Sequence, residues 1–398
     1  MGENMKKMKI ATLAATAMML AAVFTGCANK AGTSGNSASG DTITIGGNFE
    51  LSGAAAAYGS AMQRGVKLAV TKINKDGGVK VGDKKMKLKL VTKDNKSDNA
   101  SAASIATNLT TQTKASAVIG PITSGAGLAA LPNMTKAKVP LITPGGTQDS
   151  LTLQKNGKVQ PYMFRSCFED SFQGKALAKY VYNTMKLKNV AILGDKSTDY
   201  AQGLIKAFKG EYKGKIVTTE YYQAGDKDFN TLLTKLKSKN YDAIFVPGYY
   251  SEAGLIIRQA REMGIDKPIV GADGFADPKL VSIAGKSNAS NIYYTTHFDA
   301  KAPANNKVAD YLKLYKDTYG DDAGTFDALS YDAVYMIKQA IETEKSTNSV
   351  KIAEGLAKLK NFQGVTGTIT MDKYHNPQKP VIVTKLMDGT EAEATAVK

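Results

Sequence analysis

The sequence predicts an α/β protein of two Rossmann-like lobes, each with a parallel-sheet core, and three observations lead there. From residue 42 onward, short apolar β-type runs alternate with stretches of helical periodicity, the pattern of βαβ units whose sheet is covered by helices. After residue 164 a second series of the same kind begins, giving two similar halves with a cleft between them. The chain has 398 residues, and what remains after its leader and a polar stretch is the length of two ordinary domains.

The leader comes first. Lys6, Lys7 and Lys9 precede an apolar run over 10–24, followed by Thr25, Gly26 and Cys27. Such a run is short for a membrane span, and small residues at its end suit a signal peptidase, so 1–26 reads as a secretory signal. Residues 27–41 are mostly Gly, Ser, Asn and Ala; a segment with so little apolar bulk adds nothing to a core and reads as a flexible tether.

A strand is expected over 42–49. The helix after it, 60–74, places Met62, Val66, Leu68, Ala69, Val70 and Ile73 at helical spacing and ends at Gly77-Gly78. Apolar and lysine residues alternate over 87–92 as in a strand, and Asp98 is placed to cap a helix over 100–111. The runs 117–120 and 139–143 read as buried strands on either side of a helix over 126–136, with Ser124 near its N-cap. The second series gives helix 171–185, strand 190–193, helix 200–208, strand 215–222 and helix 229–239. Strand 243–246, helix 252–263 and strand 269–271 complete it. A strand over 292–296, helices over 308–319 and 326–343, and extended segments over 367–371 and 381–386 close the chain. The late helices are expected to return to the first lobe and the final strands to the second.

Composition removes several function classes. The net charge is +16, yet only Arg64, Arg165, Arg258 and Arg261 are arginine, and the lysines are spread along helix faces. Nucleic-acid readers favour arginine forks and clustered charge, so a solvated lysine-rich surface is the reading and no nucleic acid is expected as partner. His297 and His375 are the only histidines and neither has a partner at metal-ligand spacing, which gives no metal site, no catalytic triad and no cofactor. The glycines of IGGNFELSG follow a strand but have neither the dinucleotide spacing nor the lysine of a P-loop. Cys27 and Cys167 are the only cysteines, so stability rests on packing.

Two loops carry the chemistry. One follows the run 117–120 and contains Thr123, Ser124 and Gly125; the other follows 139–143 and contains Gly145, Gly146 and Thr147. In an open parallel sheet ligands bind beyond the carboxyl ends of the strands, where helix N-termini offer N–H groups to an anion. Side by side, these loops can hold one small carboxylate.

Eleven stretches, in order, carry a resemblance over almost the whole chain: IGGNFELSGAAAAYGSAMQRGVKLAV, INKDGGV, VIGPITSGAG, VPLITPGGT, FRSCFEDSFQG, NVAILGDKSTDYAQG, AGDKDFNTLL, FVPGYYSEAGLIIRQAREMG, GADGF, AGTFDALSYDAV and GTITMDKYHN. The chain resembles the branched-chain amino acid (Leu/Ile/Val) binding proteins of ABC transporters, which have the type I periplasmic-binding fold. That resemblance implies two lobes joined by three hinge crossovers, near 164–166, 296–298 and 371–373. Lobe 1 would comprise 42–164 and 298–371, and lobe 2 165–297 and 372–398. FTGC resembles a bacterial lipobox, with Phe24 where leucine is usual, and implies acylation of Cys27 and a lipid anchor on the outer face of the cell membrane. The implied partners are a free L-amino acid and an ABC permease with its ATPases, met by a monomer that is not an enzyme.

An α-amino acid requires donors for its carboxylate, acceptors or a counter-charge for its ammonium, and a pocket for its side chain. Matched onto this sequence, the resemblance gives Ser124, the N–H of Thr147 and the phenol of Tyr249 to the carboxylate. The carbonyl of Gly145, the hydroxyl of Thr147 and Asp273 go to the ammonium. Tyr58, Ile122, Tyr200 and Phe326 would wall the side chain. Asp273 stands where glutamate is familiar in the family, and Gly145-Gly146 where small side chains are common, which would enlarge the pocket. Plainer roles stand beside these: a helix cap for Ser124, a turn for Thr147 and Asp273, ordinary packing for the aromatics. Another neutral or aromatic amino acid, a nutrient or amide sensor, and a two-domain nucleotide-dependent enzyme are the other readings.

Overall fold

The computed structural model describes residues 35–301 and 303–397. The leader and Cys27 lie outside the described residues.

In chain order the first half runs β1 (Thr42–Phe49), α1 (Ala56–Lys75), the hairpin β2 (Val79–Val81) and β3 (Lys84–Asp94), α2 (Asn99–Thr111), β4 (Ala117–Ile119), α3 (Ser124–Ala137), β5 (Leu141–Thr143) and β6 (Met163–Arg165). The second half runs α4 (Asp170–Lys179), β7 (Asn189–Asp195), α5 (Asp199–Glu211), β8 (Lys215–Tyr222), α6 (Asn230–Lys237), β9 (Ala243–Phe245), α7 (Tyr250–Glu262), β10 (Ile269–Gly271), α8 (Pro278–Ala284) and β11 (Ile292–Thr296). Then follow α9 (Lys307–Tyr319), α10 (Thr325–Glu344), α11 (Ser349–Ala357), the short strands β12 (Phe362–Gly364), β13 (Gly367–Met371) and β14 (Pro377–Gln378), and finally β15 (Val381–Met387) and β16 (Thr390–Val397).

These strands form two principal sheets. The first has the order β2-β3-β1-β4-β5-β6 and is parallel except where β2 pairs with β3. The second has the order β16-β15-β11-β10-β9-β7-β8, parallel from β8 to β11, with β15 and β16 added antiparallel at one edge. In each sheet the order reverses at the first strand, between β3 and β4 about β1 and between β8 and β9 about β7. Those switch points are where an open α/β sheet takes a ligand. The chain passes between sheets after β6, after β11 and before β15, so the fold is two lobes on three crossovers.

Sequence and packing agree on why the late helices belong to lobe 1. α10 carries buried residues from Thr325 to Ile341 and lies against α1 at Gly65, where a Cβ would stand 2.1 Å from the Asp327 carbonyl oxygen. Only glycine lets the two backbones meet so closely.

The end of the segment read as a flexible tether is docked instead. Asn36 donates from its side chain to the Thr110 and Ala115 carbonyls at 2.8 and 3.1 Å, and its backbone N–H donates to Ser349 Oγ at 2.9 Å. Its carbonyl accepts from the Ser349 N–H at 2.7 Å, and the Ala38 N–H donates to Thr347 Oγ1. Composition showed how little apolar surface residues 35–39 carry; it did not show that these hydrogen bonds, with Ala38 packed on the core, attach them to lobe 1.

Candidate functional site

The lobe 1 side of the cleft is built on the loops after β4 and β5. Glu50, fully buried after β1, accepts hydrogen bonds from the Ile122 and Thr123 N–H groups, both at 3.1 Å, and from Thr123 Oγ1 at 2.9 Å. Burial pushes its carboxyl above the usual carboxylate range, and those three donors oppose the rise. The next residue, Ser124, opens α3; its hydroxyl caps nothing on its own helix and accepts from the Gln148 N–H at 3.2 Å, joining the two loops. Thr143 joins them again, donating to the Pro121 carbonyl and accepting from the Gly146 N–H, both at 2.7 Å. The buried Arg165 guanidinium donates to the Gly146 carbonyl at 2.8 Å, the Gln148 carbonyl at 2.7 Å and Thr152 Oγ1 at 3.2 Å. Thr147 is fully buried, and its hydroxyl, beside Asp170, has no hydrogen-bond partner.

Lobe 2 supplies side chains. Tyr200 on α5 and Tyr249 before α7 stack with ring centroids 5.0 Å apart and planes 7° apart. The Tyr200 hydroxyl donates to Asp273 Oδ1 at 2.8 Å and accepts from the Gly274 N–H at 2.9 Å. Asp273 also takes Gln173 Nε2 on Oδ1 at 2.9 Å and meets His297 Nε2 at Oδ2, 3.1 Å away. Burial pushes the His297 imidazole down to about 4. It is therefore neutral at physiological pH, and its contact with Asp273 is a hydrogen bond rather than an ion pair. Gln173 Nε2 reaches a second carboxyl, Asp170 Oδ1, at 3.2 Å, and Thr295 Oγ1 donates to Gln173 Oε1 at 2.8 Å. Asp170 Oδ2 is buried with no donor, and burial, reinforced by Asp273, pushes this carboxyl well above its usual range.

The lobes meet over this site. Tyr58 on α1 donates its phenol proton to the Gly274 carbonyl and accepts from the Tyr250 N–H at 3.1 Å. Tyr250 returns the contact, donating to the Ala54 carbonyl at 3.0 Å and accepting from the Ala57 N–H at 3.3 Å. Beneath this latch lies a small cavity lined by Tyr58, Ile122, Thr123, Gly145, Tyr200, Tyr249, Asp273, Gly274 and Phe326. Seven of the nine residues named from the sequence are thus brought together, while Ser124 and Thr147 stand behind the lining at the loop junction. Gly145 does not widen the cavity as expected, because Ile122 Cγ1 sits 2.6 Å from where its Cβ would be and fills the space. A broader groove flanked by Phe275, Tyr294, Phe298 and Asp322 collects none of the named residues.

Glu50, Asp170, Gln173 and His297 were not singled out in the sequence. Asp170 and Gln173 lie in FRSCFEDSFQG at i, i+3, one face of a helix, and that spacing was the available signal. The sequence offered His297 only as a metal ligand or a triad member; among the described residues no cluster of three His, Cys, Asp or Glu could hold a metal.

A family model described as periplasmic binding protein matches residues 42–391. The chain belongs to that family. Within it the chain falls among the branched-chain amino acid ABC transporter substrate-binding proteins, a group of solute binders rather than enzymes. It is 32% identical over 343 residues, 85% of this chain and 89% of the relative, to Leu/Ile/Val-binding protein homolog 3 of Brucella melitensis. Identity to the leucine-, isoleucine-, valine-, threonine- and alanine-binding protein of Pseudomonas aeruginosa is 29%, covering 86% of this chain and 89% of that one. Among solved structures, the branched-chain amino acid transporter substrate-binding protein LivJ of Streptococcus pneumoniae, in complex with isoleucine, superposes with a TM-score of 0.84 and 48% identity. That match covers 89% of this chain and 99% of LivJ. A Rhodopseudomonas palustris binding protein in complex with benzoate matches at a TM-score of 0.76 and 20% identity, covering 90% of this chain and 96% of its own, which speaks to the fold alone. No described helix is long and apolar enough to cross a membrane.

Proposed function

We propose that this binding protein captures leucine, isoleucine or valine between its lobes, outside the cytoplasm and anchored through a lipid on Cys27, and hands it to an ABC permease driven by its ATPases. The observation that carries the reading is the small cavity itself: aromatic and apolar walls, one buried carboxylate, and a pair of polar loops at the mouth of a parallel sheet. In this reading Ser124, the Thr147 N–H and Tyr249 take the ligand carboxylate. The Gly145 carbonyl, the Thr147 hydroxyl and Asp273 take the ammonium, while Tyr58, Ile122, Tyr200 and Phe326 hold the side chain. The isoleucine complex of the 48% identical LivJ supports the ligand class. The space that Ile122 fills beside Gly145 favours a branched aliphatic side chain over an aromatic one.

Binding and closure are the whole mechanism. A ligand that touches both lobes has more contacts, hence higher affinity, when they are together, and that difference shifts the hinge equilibrium. The test is a thermal-shift screen of protein refolded to strip carried-over ligand, against the twenty amino acids and several nucleotides. At 100 times its dissociation constant a ligand adds about 2.7 kcal/mol of stability. A midpoint rise with leucine, isoleucine and valine is expected; a rise with nucleotide and with no amino acid would overturn the reading. For the anchor, intact mass of membrane-extracted protein should show a diacylated Cys27 at the N-terminus, and Cys27→Ala should appear in the medium or periplasm.

A further inference from the structure

The two carboxyl groups of the lobe 2 network are not equally provided for. Asp273 receives three donors, from Gln173, Tyr200 and His297. Asp170 is 1% exposed and receives the Gln173 amide that it shares with Asp273; beside it only the Thr147 hydroxyl, a neutral donor, favours its ionised form. Two anions joined by a single neutral donor in a dry site repel each other, and the less solvated one takes up a proton.

The other charged and titratable groups around Asp170 do not relieve it. Arg165 directs its terminal nitrogens to the carbonyls of Gly146 and Gln148 and to Thr152 Oγ1. From its own helix and the facing loop come Glu169 and Asp149, both negative when ionised; Asp149 Oδ1 accepts from the Ser171 N–H at 3.0 Å. Lobe 2 presents Asp273, the phenols Tyr200 and Tyr249, and the neutral His297. On α5 the neighbour is Gly203, whose position leaves no room for a donor. Lys379 donates to the Ser166 carbonyl and Thr366 Oγ1. The N-terminus of α4 favours an ionised Asp170, but burial outweighs it.

We propose that capture of the amino acid's ammonium is coupled to the release of one proton from Asp170, so that the site carries both negative charges only while a cation occupies it. The proposal rests on the amino-acid reading given above. With no cation in the site, burial and the neighbouring Asp273 favour the neutral acid of Asp170. When the ammonium arrives beside Thr147 and Asp273, its charge favours ionisation: the Asp170 O–H bond breaks, the electron pair stays on the carboxylate, and the proton passes to solvent base. The ligand keeps its three ammonium protons. Because the bound state holds one proton fewer, affinity rises with pH, about tenfold per unit, in the window above the usual carboxylate range and below the raised value of the free site.

The experiment is calorimetric titration of the refolded protein with L-leucine, L-isoleucine and L-valine, at each pH in two buffers that both titrate near that pH and differ in ionisation heat, repeated from about pH 5.5 to about pH 8. The difference in heat between buffers counts the protons released. Close to one proton at the low end of the range, with tightening as pH rises, is the expected result. Asp170→Asn should still bind, more weakly, with no proton released and a flat pH profile, and His297→Gln should release the proton as the parent does. Binding with no buffer-dependent heat at any pH overturns the coupling while leaving the ligand reading standing. Release that persists in Asp170→Asn and vanishes in His297→Gln overturns it in favour of the imidazole. If none of the three amino acids gives heat, the ligand reading falls and the coupling with it.

Discussion

The two sides of the cleft are made of different materials. Lobe 1 presents its polar groups as loop backbone, the segments after β4 and β5, held from behind by Glu50, Thr143 and Arg165 through hydrogen bonds to main-chain groups, and its side chains Tyr58, Ile122 and Phe326 add only wall. Lobe 2 presents side chains, Tyr200, Tyr249 and Asp273, placed by other side chains, Gln173 and His297. Main-chain N–H groups at a helix start suit a carboxylate, a feature all amino acids share. A buried carboxylate in a side-chain network suits the ammonium, and its strength depends on every member being satisfied. Lobe 1 is therefore the more tolerant half and lobe 2 the half in which one substitution does most damage.

The largest effect should come from Asp273→Ala. It removes the proposed counter-charge of the ligand ammonium, strips Tyr200 and His297 of their acceptor and leaves Gln173 only Asp170. Calorimetry is expected to show affinity weaker by about 2 to 5 kcal/mol; unchanged affinity would take Asp273 out of the site. Next comes Ser124→Ala, at about 1 to 3 kcal/mol, since it leaves a carboxylate oxygen short of a donor and frees the Gln148 N–H. A larger loss there than at Asp273 would invert the comparison between lobes.

Thr147→Val separates binding from folding. Its hydroxyl has no protein partner other than the adjacent Asp170 carboxyl, so a methyl of the same shape should leave the melting midpoint nearly level while affinity drops by about 1 kcal/mol. A fall in both would mean that the hydroxyl already serves the fold. Asn36→Ala should have the smallest effect on binding. It removes two side-chain hydrogen bonds from the edge of lobe 1, so denaturant unfolding should show a loss of about 1 to 2 kcal/mol with the dissociation constant unmoved.

The βαβ alternation was legible because β1, β7 and β8 are seven or eight residues long and helices such as α1 and α10 bury long periodic stripes. Three-residue strands escaped where no turn chemistry framed them, as with β6 and β12; so did α8 and α11, too short for periodicity to stand out. Of the site, the lining was within reach through matched motifs, each a short contiguous stretch. The Asp170–Gln173–Asp273–His297 network was not, because Gln173 and Asp273 lie 100 residues apart and only the folding of lobe 2 brings them together. Gly145 shows the complementary failure. A missing side chain suggested space, but in a close-packed interior a neighbour, Ile122, moves in.

The attachment at Asn36 fixes a frame of reference. Its partners lie at the C-terminal end of α2, ahead of β4 and at the start of α11, and Ser349 extends the contact to the Lys138 carbonyl after α3. All of these belong to lobe 1. Residues 35–38 therefore turn with that lobe, and in their frame lobe 1 is the fixed jaw. Seen from that segment, any change in the angle between the lobes is travel of lobe 2, which carries Tyr249 and Asp273 relative to the loops after β4 and β5.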